Sequence, residues 1–163
     1  MGDAEIRTLD ARLLDELSQA ARRNERRRQN FNIHASYDEP CQRLLNAVEP
    51  YSYIRPHRHL DPAKPETFIA VRGRFAILIF SDGGDIHRIV RIGGDGEAIG
   101  LDIPAGTWHS VLSLDEGAVF FETKPGPYHP LSDKDWAPWA PPEGSEEAAE
   151  YLQYLQQRAE DVR

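Results

Sequence analysis

A single cysteine, Cys41, stands among the 163 residues of this chain, so no intramolecular disulfide can form. A CxxC redox pair and a cysteine zinc ribbon are excluded for the same reason. Such a lone cysteine is expected to be a small buried residue rather than a nucleophile. Positive charge is in deficit: 19 Lys and Arg against 27 Asp and Glu leave a formal net charge of −8 and a pI near 5.2. That balance argues against a whole-surface nucleic-acid binder. No apolar run approaches the roughly 20 residues of a membrane-spanning helix. The acidic, amphipathic start has no long apolar core of the secretory kind, and there is no internal repeat or low-complexity tract. The expectation is a soluble, cytoplasmic protein with neither nucleic-acid nor membrane partners. Its length suits one domain with a respectable core.

Leu9, Leu13 and Leu17 recur every fourth residue, with Leu14 and Ala21 nearby, and predict a helix with one apolar stripe. Thr8 or Asp10 can cap it. Arg22, Arg23, Arg26, Arg27 and Arg28 follow, a basic patch in an acidic chain. It reads as a solvated helix end, with an anion or acidic-partner site as the alternative. The alternation over 29–34 predicts a strand, with Phe31 and Ile33 on one side and Asn30, Asn32 and His34 on the other. Ser36 and Glu39 form a capping box with Pro40 in the first turn, predicting a short helix to Ala47. Strands are predicted over 51–59, 67–72, 74–81, 86–92, 98–103, 107–114 and 117–124. Turn signals at Asp61-Pro62, Asp82-Gly83-Gly84, Gly93-Gly94-Asp95-Gly96, Pro104-Ala105-Gly106 and Asp115-Glu116-Gly117 separate them. Many short strands at this spacing indicate an antiparallel sandwich or barrel. From Pro125 to Pro142 the chain is rich in proline and aromatics, which predicts an ordered strap over the barrel. Ser145 can cap a last helix carrying Tyr151, Leu152 and Leu155. The organisation is thus 1–50, a helical and strand extension; 51–125, the barrel; 126–163, strap and helix, all in one structural domain.

The chemistry concentrates in four residues. His57 and His59 are two apart, so an extended strand sends both imidazoles to one face. Glu66 follows shortly before Gly73, and His109 stands behind the turn Pro104-Ala105-Gly106. Three imidazoles and one carboxylate suit one divalent transition metal per chain, such as zinc, iron, manganese or nickel, better than calcium or magnesium. Four protein ligands leave one or two positions open on a five- or six-coordinate ion.

These two segments resemble the two motifs of the cupins: histidine-x-histidine followed by glutamate and glycine, then proline-x-glycine-x-x-histidine. The departures are specific. Six residues separate His59 from Glu66 where three or four are usual, Ser113 stands where asparagine is frequent, and Ala98 replaces a glycine. A wider resemblance runs through Asn30 to His34, Cys41 to Ala47, Arg55 to His59, Glu66 to Phe68 and Lys124 to Tyr128. It is to the WbuC-type cupin-fold metalloproteins, which are linked with bacterial surface-polysaccharide gene clusters. The resemblance implies an all-β, jelly-roll-like antiparallel barrel with flanking N-terminal and C-terminal helices, holding a metal. A carbohydrate-related role is implied with it.

Strand parity nominates Tyr51, Tyr53 and Arg55 for the cavity wall beside the histidines. Arg55 suits a phosphate or carboxylate, the alternative being a salt bridge to Glu122. Lys124 and Tyr128 border the strap as further substrate-binding candidates, and Tyr53 and Glu122 are the candidates for proton transfer. His34 is a candidate to approach the cavity, and His87 reads as exposed. Three functions stay open. The first is a metal-dependent enzyme, isomerase- or epimerase-like or an iron dioxygenase, on a small anionic sugar-derived molecule such as a sugar phosphate or nucleotide sugar. The second is a non-catalytic ligand-binding or regulatory module, and the third is an interaction protein. A homodimer is expected in each case, with Phe31 and Ile33 suiting the contact.

Overall fold

The computed structural model describes residues 6–94 and 98–161. Its elements, in chain order, are α1 (Ala11–Arg23), β1 (Arg28–Asn32), β2 (Cys41–Val48), β3 (Glu66–Arg72), β4 (Phe75–Phe80), β5 (Ile86–Ile92), β6 (Gly100–Ile103), β7 (His109–Ser113), β8 (Val119–Pro125) and α2 (Glu146–Asp161). Asp10 caps α1 by accepting a hydrogen bond from the Leu13 N–H. No helix among the described residues is long and apolar enough to cross a membrane.

Two antiparallel sheets face each other, one ordered β1-β2-β8-β3-β6 and the other β5-β4-β7. The period-2 rule explains what lies between and outside them. Val48, Phe68 and Phe120 from the larger sheet meet Phe75, Ile77, Ile92 and Val111 from the smaller one in a shared core. Leu45, Ala47 and Val119 point the other way and bury Leu17 and Ala21 of α1. Strand β4 is apolar throughout because both its faces are covered. Its Ala76, Leu78 and Phe80 pack under Ala148, Leu152 and Leu155 of α2. Complete burial of Phe75, Ile77 and Leu78 stabilises the fold by about 1.5–3 kcal/mol each. Gly73, at φ +75, allows the turn from β3 into β4, where an added Cβ would lie 2.7 Å from that of Ala118.

This is the jelly-roll-like antiparallel fold expected, with one correction: the sheets are not closed into a barrel. The segment expected as a strand over 51–59 is extended but irregular, joined at the isolated bridges of His57 with His109 and with Trp136. Pro56 lacks an N–H for a ladder, and Tyr51 takes a positive φ of 71. The helix expected from Ser36 to Ala47 is also absent. The capping contacts do form, Ala35 N–H to Glu39 Oε1 at 2.7 Å and Asp38 N–H to Ser36 Oγ at 3.1 Å. They close one turn only, after which the chain pairs as β2 with β1 on one side and β8 on the other. Two ladders outweigh a local propensity of a few tenths of a kcal/mol per residue. Cys41, expected to be buried, is exposed at the start of β2. Of the expected turn at 93–96, Gly93 and Gly94 have positive φ, while residues 95–97 lie outside the described residues.

The strap is ordered. Arg58 N–H donates to Asp135 O, Ala137 N–H to Pro56 O and the Tyr53 hydroxyl to Pro141 O, so residues 135–141 lie along 53–58.

Candidate metal centre

The inner face of the larger sheet carries the even-numbered residues of β2, β3 and β8. The register sets Gln42 opposite Lys124, Leu44 opposite Glu122 and Phe68 opposite Glu122. Glu66 stands at the start of β3 on that same face, and His109 begins β7 across the fold. His57 is drawn in by two backbone bonds with His109, of 3.0 and 2.9 Å. The outcome is that His57, His59, Glu66 and His109 each offer a ligand atom, all within 4.8 Å of one another. The group could hold a metal ion.

The donor set fits such an ion. His57 Nδ1 lies 3.0 Å from Arg55 O and His109 Nδ1 2.9 Å from Thr107 O. A backbone carbonyl facing Nδ1 accepts a hydrogen bond from Nδ1–H, which fixes the proton there and leaves Nε2 with its lone pair, the arrangement of a metal-ligating imidazole. The buried His59 Nε2, His109 Nε2 and Glu66 Oε2 have no well-formed hydrogen bond. Instead they converge: His59 Nε2 is 3.1 Å from Glu66 Oε1, and His109 Nε2 is 3.0 Å from Glu66 Oε2. Burial, aided by the neighbouring His109, holds His57 well below the ordinary histidine range. Burial disfavours charge on Glu66 too, yet His109, His59 and Lys124 outweigh it and hold the carboxyl well below its usual range. His109 is raised, because Glu66 overcomes the effect of burial. His57 and Glu66 thus already favour the forms a divalent cation requires, a neutral imidazole and an ionised carboxylate, and a cation would take the place of the proton that Glu66 favours on His109.

A second charged layer adjoins the four. Lys124 Nζ donates to Glu66 Oε1 at 3.0 Å and to Glu122 Oε1 at 2.7 Å, and Asn46 Nδ2 donates to Glu122 Oε2 at 2.7 Å. Burial pushes the Glu122 carboxyl up, with Lys124 opposing and Glu66 reinforcing the shift. Burial opposes the charge on Lys124, but Glu122 and then Glu66 raise it. Two carboxyls side by side are thus pushed apart, Glu66 downward and Glu122 upward.

Two cavities meet here. A space of about 380 Å³ is lined by His57, Glu66, His109 and Glu122, with Asn30, Asn46 and Arg28 as polar walls and Phe68, Val111 and Phe120 as apolar ones. A smaller one of about 220 Å³ is bounded by His57, His59, Lys64, Glu122, Lys124 and His129. Tyr128 borders both and stacks against Tyr37 at 4.9 Å between ring centroids.

Of the residues nominated from sequence, Glu122, Lys124 and Tyr128 therefore line these cavities beside members of the four-residue cluster. Tyr53 and Arg55 do not. The irregular backbone around Pro56 breaks the parity and turns Ile54 inward instead. Tyr53 is buried against α2, and Arg55 Nη2 donates to Ala137 O at 2.9 Å with its guanidinium 5.7 Å from the Trp136 ring. Tyr51 is exposed, and Arg55 makes no pair with Glu122. His34 is buried elsewhere, its Nδ1 2.9 Å from Arg43 O, and His87 is exposed as expected. In the basic patch, Arg26 and Arg28 bind Glu143 at 2.7 and 2.8 Å and Arg22 reaches Glu49 at 3.3 Å. The residues missed were Asn46 and Lys64. Parity with Leu44 on an inward strand face would have found Asn46 had 41–48 been read as a strand.

The model of a family described as "Domain of unknown function (DUF6016)" matches residues 9–92, just over half of the chain. No curated protein matches it in sequence. Among solved structures, protein SO0799 from Shewanella oneidensis is 15% identical, with 82% of each chain covered and a TM-score of 0.51. TT1209 from Thermus thermophilus is 16% identical over 74% of this chain and 97% of its own, also at a TM-score of 0.51. Both share the fold with this chain. The Cnp3 cupin domain of Schizosaccharomyces pombe aligns at 11% identity over 60% of this chain and 64% of its own, with a TM-score of 0.45.

Proposed function

The chain belongs to the DUF6016 family, and from that premise we propose that it is a metal-dependent enzyme acting on a small, anionic, sugar-derived molecule. The observation that carries the reading is Glu122. It is a buried carboxyl outside the ligand set, raised above its usual range, that faces both cavities beside the four ligands. His57, His59, Glu66 and His109 would hold one divalent metal, which when bound supplies Lewis acidity toward a substrate carbonyl or hydroxyl.

The remaining steps belong to side chains. Glu122, oriented through both oxygens by Lys124 and Asn46, moves a proton to or from a carbon next to that carbonyl, as isomerisation or epimerisation requires. Asn30 and Asn46 offer donors and acceptors to hydroxyl groups, while Phe68 and Phe120 keep water from one wall. A cavity of about 380 Å³ suits a monosaccharide-sized guest. The resemblance to WbuC-type proteins supports a place in bacterial surface-polysaccharide metabolism. A second reading, a non-catalytic binding module, draws support from the same carboxylate. Both of its oxygens already accept hydrogen bonds, as a purely structural group would. A homodimer is part of the proposal: β1 pairs only with β2 among the described strands, which leaves an edge open to a second copy.

Metal analysis of protein purified without added metal is the first test, with His57→Ala and His109→Ala alongside. Each variant should lose most of the metal and remain folded; full occupancy in both would sink the site. A screen of sugar phosphates and sugar acids follows, in solvent deuterium. Glu122→Gln should keep the metal yet slow turnover by about a hundredfold or more. Turnover at the wild-type rate would remove Glu122 from the chemistry, and substrate-dependent oxygen uptake would point to a dioxygenase instead.

A further inference from the structure

The loop between His59 and Glu66 is longer than the cupin pattern expects, and its extra length has a visible product. Leu60 bridges to Ala63 across the Asp61-Pro62 turn, and Lys64 N–H returns to His59 O at 3.3 Å. The turn is held from the other side by Gly106 N–H, which donates to the same carbonyl at 2.9 Å. The fold-back delivers the Lys64 side chain to the smaller cavity, where it is only 8% exposed.

Lys64 differs from its neighbour there. Lys124 lies between two carboxylates, whereas the Lys64 ammonium donates only to the Pro127 carbonyl among the described residues. No acidic side chain of the described residues pairs with it. A lysine with this little exposure normally has an anionic partner, and here its one contact is a neutral acceptor. Around it the cavity holds Lys124, His129 and two of the metal-ligand histidines, with Glu122 as its one lining acid. Glu66 and Glu122 are already engaged by Lys124, and a divalent cation among the four ligands would add further positive charge. With a cation held by the four residues, the balance beside Lys64 would be cationic; Asp61 and Asp135 share a second, much smaller hollow with Lys64 and make no ion pair with it.

We propose that Lys64 is the anchor for the anionic group of the ligand, a carboxylate or a phosphate, held in the smaller cavity while the sugar hydroxyls face the metal ligands. This rests on the reading of the ligand as a small sugar-derived anion. The extended loop is then a specificity element. It places one positive charge at a fixed position beside the metal ligands, and the charge gains its partner only when the ligand arrives.

The test is calorimetric titration of D-glucuronate and D-glucose 6-phosphate into the zinc-loaded protein, for wild type, Lys64→Met and Lys64→Arg. Metal content and thermal midpoint are measured alongside. Whichever probe binds identifies the anion. Lys64→Met should weaken it at least tenfold with metal content unchanged and the ligand-free midpoint held or raised, since an unpaired charge has been removed. Lys64→Arg should recover most of the affinity. Undiminished binding by Lys64→Met would overturn the anchor while leaving the ligand class intact. A lowered ligand-free midpoint in Lys64→Met, with Lys64→Arg no better at binding, would overturn it in favour of a structural role. Binding of neither probe by wild type would overturn the ligand class, and the anchor with it.

Discussion

Replacing Lys124 by methionine removes the ammonium that lies between Glu66 Oε1 at 3.0 Å and Glu122 Oε1 at 2.7 Å. The side chain is 18% exposed and its partners 2% and 10%, so water can replace little of the lost interaction. Breaking a buried pair from one side costs about 3–5 kcal/mol. Glu122 moderates this, because its carboxyl is already raised by burial and can take a proton in place of the ammonium. The lower end, about 3 kcal/mol, is therefore expected, or roughly 6–12 °C in thermal midpoint for a chain of this size. The sign of the pH dependence follows. In the variant Glu122 has a folded pKa raised still further above its unfolded value, so its contribution is fully present at low pH and is lost as pH rises through the folded pKa. The deficit against wild type should thus be larger at pH 8 than at pH 5. Added zinc should recover part of it, since the cation takes over the charge of Glu66. Differential scanning fluorimetry with chelator or zinc, at both pH values, measures all three effects. A chelated variant within 2 °C of wild type, or a deficit that grows as pH falls, would refute the account of this network.

Glu143, held down to about 2 by Arg26 and Arg28 against the effect of burial, ties the strap to the β1 end of the fold. A depressed carboxyl stabilises above its unfolded pKa of about 4.3 and loses the effect as pH falls toward 2. The stability difference between wild type and Glu143→Gln, followed by denaturant titration from pH 6 downward, should shrink over that window. A difference independent of pH would count against the ion pair. Tyr53→Phe deletes only the hydroxyl that donates to Pro141 O at 2.8 Å and should cost about 1 kcal/mol. Its metal content should stay close to wild type, because the hydroxyl is one of several contacts that hold residues 53–58 and does not itself reach the four clustered residues; loss of most of the metal would place Tyr53 in the site.

The clustering of His57, His59, Glu66 and His109 was legible because its signal is local: two histidines two apart, a carboxylate before a glycine, a histidine behind a proline-x-glycine turn. Most strand positions were legible for the same reason, since alternation and turn residues lie within a few positions of each other. The failures share a non-local cause. Ser36 and Glu39 make capping-type contacts, to the N–H groups of Asp38 and Ala35, yet residues 41–48 answer to β1 and β8 instead. Asn46 reaches Glu122 across 76 positions and Lys64 reaches Pro127 across 63, so neither belonged to a readable motif. Arg55 and Tyr53 were misplaced because parity holds only on a regular strand, and Pro56 interrupts it.

That interruption also explains what the basic patch and the strap do together. A regular strand at 51–59 would be aligned by neighbouring strands; here the alignment comes from the C-terminal strap. Arg26 and Arg28 hold Glu143, the Tyr53 hydroxyl holds Pro141 O, Arg55 holds Ala137 O, and the Ala137 N–H holds Pro56 O. The series ends at His57, whose backbone is bridged by Trp136 on one side and by His109 on the other. Tyr53 and Arg55, read from sequence as ligand-facing, thus act one step back, on the segment that sets where His57 stands. Charge placed between α1 and the start of β1 thus serves positioning, far along the chain from the histidine it helps to place. A metal-ligand set needs its atoms placed to within a few tenths of an ångström, and an extended segment with a single bridge on each side cannot supply that alone. The successive contacts with the strap, at 53, 55, 56, 57 and 58, supply the remaining constraint.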